Sequence, residues 1–153
     1  MTALELKIPP VGVFLLAGLA MWGISKSLPA ATVGFPGQLA VAGALFIAGG
    51  VVGIGSVVAF RRRQTTVDPT EPHKASTLVT TSYYQYSRNP MYLGLALVLA
   101  AWATYLANPV SVLMLPAFIA YMTRFQIKPE ERALLDRFGA DFALYASRVR
   151  RWF

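Results

Sequence analysis

Apolar residues along this chain gather into four long runs. The first covers about residues 11–28, after "LKIPP", and the second covers about 38–60 and holds no charge. The third covers about 91–106 and the fourth about 110–125. The first two approach or exceed the roughly 20 residues that carry a helix across a bilayer; the last two are shorter. Pro9 and Pro10 suit a first helical turn, where a missing amide donor costs little. "ANPV" between the third and fourth runs predicts a tight turn, so that these two form a helical hairpin, and Pro116 predicts a bend in the fourth. The pattern therefore predicts an all-α membrane protein of one domain. Its parts are four transmembrane helices, a cytoplasmic loop over 61–90 and a C-terminal amphipathic segment over 129–153. In that last segment Leu134, Phe138, Phe142, Tyr145, Val149 and Trp152 recur at spacings of three and four. Gly139 predicts a break within it, and "RVRRWF" is expected to rest among headgroups.

Composition supports lipid burial. Of the 153 residues 56% are hydrophobic and 14% charged, against about 25% charged in an ordinary soluble domain. The absence of cysteine excludes a disulfide scaffold, a thiol nucleophile and a thiolate metal site. A cleavable signal peptide ending at "LPAA" is disfavoured, because its basic leader would be Lys7 alone.

The net charge of +7 acquires its meaning from its distribution. With four spans, thirteen of the fourteen basic residues fall on one side, Lys26 being the exception, and all seven acidic residues join them. The positive-inside rule makes that side cytoplasmic, with both termini there and a bacterial inner membrane as the expected location. The basic excess reads as topology and anionic headgroup contact, not nucleic-acid binding. Gly43, Gly49, Gly50, Gly53 and Gly55 in the second run read as helix packing, with Gly49-x-x-x-Gly53 the closest spacing. No ionisable residue lies in the middle of a run, which argues against an ion-coupled transporter.

Polar chemistry concentrates at the cytoplasmic face. The connection of about thirty residues before the third run is long enough to suggest function. Pro69 and Pro72 preclude one helix there, and the lone His73 reads as solvated. Tyr83, Tyr84 and Tyr86 form an aromatic cluster that either belts the interface or stacks on a flat ring. No cluster has metal-ligand spacing. Pro129 fits a helix's first turn, where Glu130 and Glu131 complement the dipole. Paired carboxylates beside anionic lipid also call for a cation nearby. The hairpin brings Arg88-Asn89, before the third run, to the same face as Glu130-Glu131, after the fourth. A cation, an amide and two carboxylates together suit a zwitterionic ligand with an ammonium, a carboxylate and hydroxyls.

From "LKIPP" to "RVRRWF", and most specifically at Arg88-x-Pro90-x-Tyr92-x-Gly94 and at Glu130-Glu131 followed by "FG…Y", the chain resembles a known family. It is the isoprenylcysteine carboxyl methyltransferase-like proteins, related to the phospholipid methyltransferases. The resemblance implies an integral-membrane enzyme that uses S-adenosylmethionine, releases S-adenosylhomocysteine and methylates a hydrophobic or lipid-like acceptor. The absence of a Gly-rich strand-loop-helix pattern agrees with a helical bundle in place of a Rossmann domain. Carried over residue by residue, it assigns Tyr84, Arg88, Asn89, Pro90, Tyr92, Gly94, Glu130 and Glu131 to the cofactor pocket. Arg88 and Glu131 would also serve catalysis. Gly94 would allow close approach of cofactor or a neighbouring helix, and the glutamates would hold ribose hydroxyls or the ammonium. Arg88, Arg124 or Arg132 would orient a carboxylate acceptor. Two departures stand out. Asn89 replaces the histidine of many relatives and cannot titrate, and Ser82-Tyr83-Tyr84-Gln85 stands where many relatives have Gly-x-Tyr-Arg. The competing readings are a non-catalytic membrane protein of the same fold, a small four-helix transporter and a nicotinamide-dependent membrane reductase, which needs a longer chain.

Overall fold

A computed structural model describes residues 5–61 and 77–153; His73, Pro69 and Pro72 lie outside the described residues. The described residues are helical, with no strand among them. Helix α1 spans Pro10–Ser27, α2 Gln38–Arg61 and α3 Pro90–Leu106. Beyond them come α4 (Pro109–Val112) and α5 (Met114–Tyr121), a π-helical turn over Met122–Ile127, α6 (Lys128–Phe138) and α7 (Ala140–Arg148).

Three helical stretches are long and apolar enough to cross a membrane: Pro10–Ser27, Gln38–Arg61 and Pro109–Phe138. Helix α3, at 17 residues, falls short of that length. Large apolar side chains of α1 and α2 point outward, with Leu19 64% and Ile54 70% exposed. Water would penalise that surface at about 25 cal/mol per Å², whereas lipid accepts it. The chain is an integral membrane protein.

Helix α3 is the spine, since both α1 and α2 pack on it. Met21 of α1, Leu99 of α3, Phe118 of α5 and Met122 and Ile127 of the π turn are almost wholly buried in one core. The approach of α2 to α3 is close enough to need glycine on both sides. A Cβ added to Gly94 would stand 2.6 Å from the Cα of Gly53, and one added to Gly49 would stand 2.8 Å from the Gly94 carbonyl oxygen.

The turn after α3 forms as "ANPV" predicts. Ala107 adopts a left-handed conformation (φ 49°), its N–H bonding back to the Ala103 and Thr104 carbonyls. The Asn108 side chain caps α4 by accepting from the amides of Val110 and Ser111, and its amide donates to the Leu28 carbonyl at 2.9 Å. Pro116 has its expected effect. It cannot donate to the carbonyl four residues back, at Val112, and the helix divides at Leu113, between α4 and α5.

Pro129 stands in the first turn of α6 with Glu130 and Glu131, as its position predicts, and the helical path reaches it directly from the π turn. Pro129 has no N–H for the Phe125 carbonyl, and its ring crowds that oxygen. The strain is absorbed by one wider turn, and the Phe125 oxygen accepts from the Leu6 N–H at 3.1 Å. Gly139 (φ 51°) separates α6 from α7, as its position predicts.

After α7 the chain extends and turns back onto the bundle. The Arg88 N–H donates to the Arg150 carbonyl at 3.0 Å, and the Trp152 indole N–H donates to the Thr123 hydroxyl at 3.0 Å. Two backbone carbonyls and an indole of this strap thus find partners inside the protein. Arg148 and Arg150 alone in it remain exposed cations.

Candidate functional site

The site is built where α3 begins and the long hairpin returns. Ser82–Gln85 forms a 3-10 turn that directs Tyr84 inward. Ser82 carries φ 60°, a left-handed conformation that favours glycine. Of the three neighbouring tyrosines, Tyr84 is buried, Tyr86 is 67% exposed, and Tyr83 lies over Gly55, where an added Cβ would meet its ring at 2.6 Å. Asn89 precedes α3, its N–H bonded to the Ser87 hydroxyl and its side-chain amide to the Arg151 carbonyl at 2.8 Å. Asn89 thus acts as a fixed connector.

Glu130 and Glu131 occupy different surroundings. Glu130 accepts from the Tyr92 hydroxyl at 2.5 Å and from the Gln126 side-chain amide one helical turn earlier. Both of these donors are neutral. Glu131 is gripped by two guanidiniums. Arg151 meets it with a fork, Nε to Oε1 at 3.0 Å and Nη2 to Oε2 at 2.6 Å, while Arg88 reaches Oε1 through Nη2 at 3.2 Å. The cation that paired carboxylates require is therefore supplied for Glu131 by the protein.

These residues surround a cavity of about 790 Å³. Tyr84, Arg88, Asn89, Tyr92, Gly94, Glu130 and Glu131 all line it, with Tyr145 and Phe142 of α7 and Val79 beside them. Its other wall is apolar and comes from α1 and α2, at Val11, Gly50, Ile54 and Val57. Pro90 does not line it and faces a smaller void on the opposite side of the turn. Gly94 both lines the cavity and contacts α2, so the close approach it permits is that of a helix. Arg124 and Arg132 do not line the cavity; they pair with Glu5, at 3.4 and 2.8 Å, on the outer side of the hairpin.

Burial raises the Tyr84 and Tyr145 phenols above their usual range, so both are neutral hydrogen-bonding groups; for Tyr145 the nearby Arg88 charge pulls the other way. The Tyr145 hydroxyl donates to the Tyr84 carbonyl at 2.7 Å, which ties α7 to the 3-10 turn. Hydrogen bonding to Glu131 raises Arg151 further, and it stays charged.

Sequence reasoning missed Arg151, Gln126 and the α2 glycines as parts of the site. Gln126 was findable, since it lies four residues before Glu130, a spacing that stacks two side chains on one helix face. Arg151 carried no such signal, because it sits among three arginines and its partner lies 20 residues away.

An uncharacterised protein of Haemophilus influenzae is 42% identical over 62 residues, which is 40% of this chain and 98% of that protein. No solved structure matches the chain. Residues 38–141 match the phospholipid methyltransferase family, and the matched segment holds α2, α3, the hairpin and both glutamates: the chain belongs to that family of membrane methyltransferases.

Proposed function

We propose that this protein transfers a methyl group from S-adenosylmethionine to a hydrophobic or lipid-like acceptor at the cytoplasmic face of a bacterial inner membrane. In this reading α3 is a fourth crossing, both termini are cytoplasmic, and α7 with the apolar side of α6 lies at the interface. The observation that carries it is the cavity that unites Arg88, Tyr92 and Gly94 with Glu130 and Glu131, charged at one end and apolar at the other. Its polar end fits the ligand: a guanidinium for a carboxylate, Glu130 for an ammonium or ribose hydroxyls, and Tyr84, Phe142 and Tyr145 as flat surfaces for a purine.

When bound, S-adenosylmethionine supplies a methyl group already activated by its sulfonium, so the protein's task is alignment. Nucleophile and methyl carbon need to be held about 3–3.5 Å apart and in line, which contributes several kcal/mol. The apolar wall from α1 and α2 excludes water and receives the acceptor's hydrocarbon portion, which strengthens the electrostatics at the polar end. Asn89 cannot exchange a proton near neutral pH; it holds the strap against the start of α3.

Calorimetric titration of S-adenosylmethionine into the detergent-purified protein tests this, repeated on Glu131→Gln and Arg88→Ala. The unmodified protein should bind, and each substitution should weaken binding by about tenfold or more, the scale of one charged hydrogen bond. No binding by the unmodified protein would sink the methyltransferase reading; undiminished binding by both variants would sink the site assignment.

A further inference from the structure

The two arginines at Glu131 are not equivalent. Arg151 engages both carboxylate oxygens with its fork, the preferred geometry of a guanidinium on a carboxylate. Arg88 is left with a single contact, Nη2 to Oε1 at 3.2 Å. Among the described residues, the Arg88 Nε is buried without a hydrogen-bond partner. A guanidinium has five N–H donors, and that of Arg88 lines the cavity with most of its capacity unused. Arg151 itself does not line the cavity. It is carried by the extended strap, whose carbonyls at Arg150 and Arg151 accept from the Arg88 N–H and the Asn89 side chain.

Two guanidiniums competing for one carboxylate have a predictable outcome when one is removed. Without Arg151, both Glu131 oxygens are open, and Arg88 can close its own fork on them. Its Nε and Nη donors would then be committed to Glu131. We infer that Arg151 is a positioning residue: by occupying Glu131 bidentately it keeps the Arg88 guanidinium free for an anionic oxygen of the ligand in the cavity. This rests on the cofactor reading above, in which that oxygen belongs to the carboxylate of S-adenosylmethionine. The strap would then set the affinity of the site for the anionic end of its ligand without touching the ligand.

The test compares S-adenosylmethionine with its decarboxylated form, which lacks that carboxylate, by calorimetric titration of the full chain in detergent. The unmodified protein should prefer the carboxylate-bearing ligand by about tenfold or more, and Arg88→Ala should abolish the preference. Arg151→Ala should cut the preference at least threefold, mostly by weakening the carboxylate-bearing ligand. In the Arg88→Ala background, Arg151→Ala should change it no further. Arg151→Lys keeps the charge without the fork and should fall between. Should Arg151→Ala lack a cooperative thermal transition, Arg151→Lys decides by the same comparison. A loss equal for both ligands, or no loss, overturns the inference. An unmodified protein that binds both ligands equally overturns it while leaving the cofactor reading intact; one that binds neither overturns both.

Discussion

Single residues at this site divide the polar work unevenly. Glu131 is balanced by two guanidiniums, while a phenol and an amide donate to Glu130. Removing the Tyr92 hydroxyl as Tyr92→Phe should therefore take away one of the two donors that share the Glu130 Oε1, leaving the Gln126 amide as the other. The expected result is a loss of about 1 kcal/mol in thermal stability with a larger proportional loss in ligand affinity, read by melting and titration on one preparation. Ser82 is a second test at this scale. Its φ of 60° costs a non-glycine residue about 1 kcal/mol, so Ser82→Gly should be neutral or raise the melting temperature. A clear destabilisation would show that the serine side chain makes up for its conformation. Both arginine and glutamate partners were visible in the sequence, because the hairpin fixes which ends meet. That Arg151 takes the larger share of Glu131 was not. It depends on a strap whose path is set by hydrogen bonds to backbone carbonyls, and those have no residue-type preference to read.

Element by element, hydrophobic patterning was a good guide. The four apolar runs correspond to helices that start within a residue or so of the expected places, though the fourth divides at Leu113 and leads through a π turn straight into α6. Pro129 sits in the first turn of α6 as expected, and the wider turn and the Leu6 N–H together accommodate its missing donor. The glycines of α2 were read as packing, and the structure grades them. Gly94→Ala and Gly49→Ala place a Cβ against backbone of the facing helix at 2.6 and 2.8 Å. Each should cost about 1–3 kcal/mol by overpacking, or separate the helices altogether. Gly53→Ala meets ordinary contact at 3.6 Å, and Gly43→Ala meets nothing within 4 Å. Melting in detergent should rank Gly94 and Gly49 far above Gly53, with Gly43 neutral or slightly stabilising. Equal effects at Gly94 and Gly43 would disprove the close α2–α3 contact.

For the whole molecule, the open question is topology in the bilayer. The chain has no cysteine, so single introduced cysteines report on accessibility without background. Four crossings put residue 147 on the cytoplasmic side and residue 33 on the other. A membrane-impermeant maleimide added to intact spheroplasts should label Val33→Cys and spare Ser147→Cys until the membrane is opened. Labelling of both from outside would require three crossings, and labelling of residue 147 alone would mean a reversed orientation. The sequence supports the prediction through the placement of lysine and arginine, which tertiary structure does not alter. It could not reveal that the C-terminal strap turns back to the start of α3, since that path is held by the Arg150 and Arg151 carbonyls.

The continuous helical path from Met114 through the π turn to Phe138 has a mechanical consequence. One end of this rod is seated in the bilayer and the other carries Glu130 and Glu131, while Arg88 belongs to a separate helix start. A membrane that is too thick or too thin changes the tilt of a crossing helix. Here that tilt is geared directly to the distance between opposing charges in the site. Ligand affinity in vesicles of graded acyl-chain length should pass through an optimum, and a flat response would mean that the π turn acts as a universal joint.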